Sequence, residues 1–193
     1  MARKFMEIAL TPSVQKAQEA AYGRHQTVEK GAETDALGEG EQAFVQARNS
    51  FYMATVNEDG WPYIQHRGGP TGFLKTISPE QIAFADYKGN RQLISTGNLS
   101  RHDRVALFLI DYPSRTRLKI LGRARTYPLS ETPPEVLDGI GDSTLGRAER
   151  VFVIDVVSFD WNCSQYITPR YSHEEIAPLV EGLKQRIQDL ETH

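Results

Sequence analysis

The chain has 193 residues, 39% of them hydrophobic and 24% charged. That is the balance of one soluble globular domain with enough apolar side chain to bury a core. A formal net charge of −3 gives no global field to attract nucleic acid or an acidic membrane surface. The opening stretch MARKFMEIALTPS is basic but lacks a long apolar run, so it reads as neither a secretion signal nor a membrane span. The single cysteine, Cys163, allows no internal disulfide. A cytoplasmic location is the expectation.

Residues 11–22, TPSVQKAQEAAY, predict a helix, with Thr11 as cap, Pro12 in the first turn and Gly23 as the stop. Residues 24–40 are polar and read as an exposed connection, followed by a short helix over GEQAFVQARN. From Phe51 the pattern changes to strands. FYMATV and PYIQHR flank NEDGW, whose Asp59-Gly60 pair marks a hairpin. GFLKTI and QIAFAD form a second pair around SPE. GNRQLISTGN then predicts a short helix with Leu93 and Ile94 on its buried side, and RVALFLID an aliphatic strand.

The stretch RTRLKILGRARTY alternates most clearly. Arg115, Arg117, Lys119, Arg123 and Arg125 share one face, interrupted by Leu121, while Leu118, Ile120, Gly122 and Ala124 share the other. That is a half-buried antiparallel strand with a solvated outer face. Thr132-Pro133-Pro134 opens a short helix, ERVFVIDVVSFDW makes a long last strand, and Ser172 with Glu175 forms a capping box before an amphipathic helix. Its stripe comprises Ile176, Leu179, Val180, Leu183, Ile187 and Leu190. About six strands with short turns and terminal helices, and no long crossover helices, predict a small antiparallel barrel. The expected organisation is a helical extension over 1–45, a barrel over 46–170 and the terminal helix over 171–193, packed on the barrel or on a dimer.

Several motifs fail on chemistry. Gly38-Glu-Gly-Glu-Gln-Ala43 has dinucleotide-binding spacing, but it follows no strand and its glutamates would repel a pyrophosphate. The stretch from Gly141 to Gly146 lacks the lysine of a phosphate loop. No G-x-S-x-G is present, and the five histidines are scattered without paired ligand spacing, so no metal site is expected. Cys163, between Trp161 and Tyr166, reads as a packed small residue rather than a nucleophile.

Three segments share one theme. Gln65, His66 and Arg67 end a strand before Gly68-Gly69; Phe84, Asp86, Tyr87, Asn90, Arg91 and Gln92 fall within FADYKGNRQ; Asn98 lies beyond. Arg67 and Arg91 suit an anion, Gln65, Asn90 and Asn98 suit ring edges or phosphate oxygens, and Phe84 and Tyr87 suit an apolar wall. Singly, each has a plainer explanation: a solvated strand end for Arg67, turn chemistry for Gly89-Asn90, a helix stop for Gly97-Asn98. Together they point to a site.

The order P-x-I-Q-H-R-G-G-P-x-G-F, A-D-Y-x-G-N-R-Q, N-L, aliphatic strand, L-K-I-L-G-R-A-R resembles the FMN-binding split-barrel proteins related to pyridoxamine 5'-phosphate oxidase. The resemblance runs from about Asn49 to Tyr127 and resumes in FDWNCSQYITPR. It implies a six-stranded split barrel of Greek-key type, a homodimer with FMN in a cleft between subunits, and a small-molecule redox substrate. By this resemblance Gln65, His66 and Arg67 line the flavin, Asp86 and Tyr87 approach it from the next strand, and Asn90, Arg91 and Gln92 hold its phosphate where the short helix starts. Asn98 lies near the site or the dimer interface, and Trp161, Gln165, Tyr166 and Arg170 reach the partner's flavin. No catalytic residue is assigned; His66 and Tyr166 are the acid–base candidates, with positioning the plainer role for each. The family's R-x-H-D-R substrate motif has no C-terminal counterpart, since Arg101-His-Asp-Arg104 lies mid-chain and is one residue short. The substrate, and FMN against a deazaflavin, therefore stay open. A non-catalytic module of the same fold holding flavin, haem or another planar ligand is the alternative. Nucleic-acid binding through the arginine face is disfavoured, because that face carries no interleaved aromatics.

Overall fold

Each stretch of period-two hydrophobicity forms a strand in the computed structural model, which describes residues 3–146, 148–162 and 164–191. The strands are β1 (Ser50–Val56), β2 (Pro62–Gly68), β3 (Leu74–Ser78), β4 (Gln81–Tyr87), β5 (Arg104–Asp111), β6 (Thr116–Pro128) and β7 (Ala148–Asn162). They make one antiparallel sheet in the order β2-β1-β5-β6-β7-β4-β3. The fold is the expected mainly-β split barrel with flanking helices, with seven strands rather than six. The seven are the seven strand-like stretches of the sequence, and β3, expected within GFLKTI, is a short edge strand that pairs only with β4.

The connectivity forces the sheet to curl. β2 and β3 are its two opposite edges, yet only residues 69–73 join them, a reach of roughly 20 Å when extended. The edges must therefore approach, and core contacts run across the gap. Phe51 on β1 packs edge-on against Phe84 on β4 with centroids 5.3 Å apart, and Phe84 stacks on Phe152 of β7 at 4.8 Å. One face of the rolled sheet supplies the core: Phe51 and Met53, Leu107 and Leu109, Leu118 and Ile120, Phe152 and Ile154 are all buried at alternate positions. At Gly122 the strands come so close that a Cβ would lie 2.6 Å from Ile154 Cγ2. A register shift between β6 and β7 falls at the same place.

The basic face of β6 from Arg117 to Arg125 points outward, as expected, and carries ion pairs, while Arg115 lies in the preceding turn at φ 53° rather than on that face. Lys119 meets Asp160 at 2.9 Å, Arg123 meets Asp103 at 2.8 Å, and Arg125 meets Asp155. The helices are α1 (Arg3–Ala9), α2 (Pro12–Tyr22), α3 (Glu39–Gln46), α4 (Ile94–Leu99), α5 (Pro134–Ile140), α6 (Asp142–Leu145) and α7 (His173–Glu191). Thr11 caps α2 and Gly23 ends it at φ 66°. α1 has no counterpart among the expected elements. Val136 and Ile140 of α5 cover Ala83, Ala85, Val151 and Val153 on the outer face of β4 and β7. Both halves of the α7 capping box form, Ser172 N–H to Glu175 Oε2 at 2.7 Å and Glu175 N–H to Ser172 Oγ at 3.2 Å. No residue of α7 is buried. Among the described residues no helix is long and apolar enough to cross a membrane, and no three His, Cys, Asp or Glu side chains cluster to hold a metal ion. Cys163 lies outside the described residues.

Candidate functional site

The split between the sheet edges opens into a cleft of about 260 Å³. Alternation along β2 turns Tyr63, Gln65 and Arg67 inward and leaves Ile64 and His66 outside. The inward three form one wall. The end of β4, with Asp86 and Tyr87, the loop Gly89–Leu93 and the first turn of α4 complete it.

Arg67 and Asp86 bridge the split. Nη1 lies 2.6 Å from Asp86 Oδ1, and both side chains are largely shielded from solvent. The guanidinium also sits 4.8 Å above the Phe152 ring and 5.7 Å from that of Phe84. Arg150, opposite Asp86 in the β4–β7 register, brings its Nε to 3.7 Å of Asp86 Oδ2. Burial pushes the Asp86 carboxyl above its ordinary range, against the attraction of Arg67 and Arg150. Burial likewise lowers the Arg67 guanidinium from its usual value, with Asp86 opposing. In both groups desolvation outweighs the mutual attraction. Arg67 Nε is buried and has no hydrogen-bond partner among the described residues.

Gln65 is oriented rather than loose. Its Oε1 accepts from Ser95 Oγ at 3.2 Å and Tyr63 Oη at 3.5 Å, so its NH₂ remains as the donor. The loop that follows β4 is shaped by Asn90, whose Oδ1 accepts from Gln92 N–H at 3.2 Å while its Nδ2 donates to Gln92 Oε1 at 3.0 Å. Inside that turn Arg91 adopts φ 62°, and Leu93 adopts φ 54° where α4 begins. Two non-glycine residues in the left-handed region within three positions are a local cost, of the kind that collects at ligand clamps. No carboxylate pairs with Arg91 among the described residues, and it is exposed at the cleft.

The family model for pyridoxamine 5'-phosphate oxidase matches residues 37–152, from the buried anchor Leu37 to the core residue Phe152. The chain belongs to the pyridoxamine 5'-phosphate oxidase-related, FMN-binding family. Among solved structures it is similar to HupZ of Group A Streptococcus, with 12% identity and a TM-score of 0.53 over 70% of this chain and 99% of that one. It is also similar to a putative pyridoxamine 5'-phosphate oxidase from Lactobacillus delbrueckii, with 22% identity and a TM-score of 0.50 over 68% of this chain and 99% of the other. These likenesses are of fold. No curated protein matches the sequence.

Within this family member the cleft gathers Gln65, Arg67, Asp86, Tyr87, Asn90, Arg91 and Gln92. The remaining candidates lie elsewhere. His66 points to the outer face of β2, edge-on to Tyr52 at 5.5 Å. Phe84 is in the core beneath Arg67. Asn98 is buried inside α4 and donates to Thr55 Oγ1 at 2.8 Å, so it fastens the helix to β1. Trp161 stands at the far end of β7 from Arg150, donating to Glu41 Oε1 at 2.6 Å. Gln165 is exposed, Tyr166 is 99% exposed, and the Arg170 guanidinium lies 5.1 Å from the Tyr112 ring centroid, in a separate groove. Leu93 and Ile94 are exposed rather than buried; the buried side of α4 is Ser95 and Asn98, held by hydrogen bonds, with Leu99 packed on the core beside them.

The sequence reading missed Tyr63, Ser95, Thr96, Glu149 and Arg150. Tyr63 was findable, because it alternates with Gln65 and Arg67. Arg150, whose Nη1 donates to Thr96 Oγ1 at 3.4 Å, carries no local signal: it reaches Asp86 only through pairing between strands distant in sequence.

Proposed function

We propose that this protein is a homodimeric FMN-dependent oxidoreductase that holds the flavin in the cleft between β2 and the β4–α4 loop. The observation that carries the reading is the donor set of that cleft: an unpaired Arg91 beside exposed loop amides, and an oriented Gln65 NH₂ beside Arg67, in a chain of this family. The set fits the group. A phosphate takes the Arg91 charge and loop N–H groups. Heteroaromatic carbonyls and ring nitrogens take the Gln65 amide and the orphaned Arg67 Nε. A volume of about 260 Å³ falls below the roughly 300–1,000 Å³ of ligand pockets, in keeping with a cleft that a second protomer completes. We assign Trp161, Gln165, Tyr166 and Arg170, all remote from the cleft of their own chain, to that second contribution.

Bound flavin supplies hydride or electron transfer to a small-molecule substrate. The chain's own residues bind, orient and shield. Arg67 is neutralised by Asp86, so it braces the wall, and the anion falls to Arg91. The cleft lining presents no histidine, cysteine or methionine among the described residues, which gives haem no such axial ligand there.

Titration of the apoprotein with FMN, followed by flavin fluorescence, tests the reading. Arg91→Ala is expected to weaken binding by about 1.5–3 kcal/mol through loss of a charge-assisted contact, with dimer mass unchanged. Equal affinity in the variant removes Arg91 from the site.

A further inference from the structure

α7 is an amphipathic helix whose apolar stripe lies open to solvent on the single chain. Ile176, Val180, Leu183, Ile187 and Leu190 are 39%, 41%, 54%, 56% and 74% exposed. Their spacing is four, three, four, three, a heptad seam, with Leu179, also exposed, flanking it on one side. Written as a heptad, Val180 and Ile187 occupy a, Ile176, Leu183 and Leu190 occupy d, and Leu179 occupies g. β-Branched residues at both a positions with leucine at the last two d positions favour two parallel strands. Pro178 falls at f, so its ring lies on the side opposite the seam.

We propose that α7 pairs in parallel and in register with α7 of a second copy of this chain, forming a short two-stranded coiled coil. The flanking charges choose the orientation. Arg186 at g faces the partner's Glu191 at e of the next heptad, and the twofold axis makes that attraction twice. An antiparallel pair separates Arg186 from the partner's Glu191 and loses both of these attractions. About two and a half heptads are too short to associate unaided in water. The pairing therefore rests on the homodimer proposed above, which ties the two helices together at high effective concentration. It adds an interface outside the barrel and gives the C-terminal segment a partner.

Cysteine cross-linking in the full-length protein tests this, in a Cys163→Ser background. Under mild oxidation Leu190→Cys is expected to give a disulfide-linked dimer on a non-reducing gel. Mixing Ile176→Cys protein with Leu190→Cys protein, with time for subunits to exchange, is expected to give only like-to-like links. Arg186→Glu should slow the Leu190→Cys reaction severalfold, and adding Glu191→Arg should restore it. A protein that is dimeric by light scattering but does not cross-link through Leu190→Cys overturns the helix pairing and leaves the homodimer standing. A link between positions 176 and 190 overturns the parallel orientation. A monomeric wild type overturns both proposals.

Discussion

Replacing Arg67 or Asp86 tests the energetics of the split. The pair is close, at 2.6 Å, with side chains only 12% and 17% exposed. At an effective dielectric near 20 two unit charges about 4 Å apart attract by roughly 4 kcal/mol. Yet burial moves both groups toward their neutral forms, so desolvation more than offsets that attraction. Removing one partner leaves the other charge buried. Asp86→Ala or Arg67→Met alone should therefore cost about 3 kcal/mol, a fall in Tm of roughly 6–12 °C for a chain of this size. The double variant Arg67→Met/Asp86→Leu removes both charges and fills the space, while Arg150 keeps Glu149 at 3.4 Å, so it should unfold near the wild-type midpoint. Urea unfolding of the apoprotein at one fixed concentration, followed by tryptophan fluorescence, measures all four corners of the cycle. Costs that simply add, with the double variant about 6 kcal/mol less stable, would refute the account of a desolvated pair.

Three other outcomes follow from the same structure. Asp86 holds its proton more tightly folded than unfolded, so its contribution is fully present below the unfolded pKa and is lost as pH rises through the raised folded value. The stability of wild type relative to Asp86→Asn should accordingly fall as pH rises above the ordinary carboxylate range of about 4; a difference that grows with pH contradicts the shift. Gly122→Ala puts a Cβ 2.6 Å from Ile154 Cγ2 and 2.8 Å from the Asp155 carbonyl oxygen, which should cost about 1–3 kcal/mol in chemical denaturation; a neutral effect means that β6 and β7 are less closely apposed. Asn98→Ala breaks the buried bond to Thr55 and should cost about 1–3 kcal/mol, measured by the same unfolding assay; no loss means that α4 is held by other contacts.

Much of the fold was legible because strand signals are local. The expected strand over 104–111 coincides with β5, and the alternation of 115–127 places β6 to within a residue at each end. Capping chemistry located the starts of α2 and α7. The cleft was legible where one segment carries it, as in the loop around Asn90 and Arg91. It was misjudged where period two was ignored, since Gln65 and Arg67 on one face require His66 on the other. Hydrophobicity alone puts Leu93 and Ile94 inside, but α4 is fastened by Leu99 and by polar bonds from Ser95 and Asn98. Arg150 could not be read at all, because register between β4 and β7 is a property of the folded sheet.

The most direct measurement is the visible absorption spectrum of the purified protein, incubated with FMN and then desalted. The account predicts flavin bands that stay with the protein and are shifted from those of free FMN. A colourless protein after desalting, with the spectrum of added FMN unchanged before it, would contradict the flavin site.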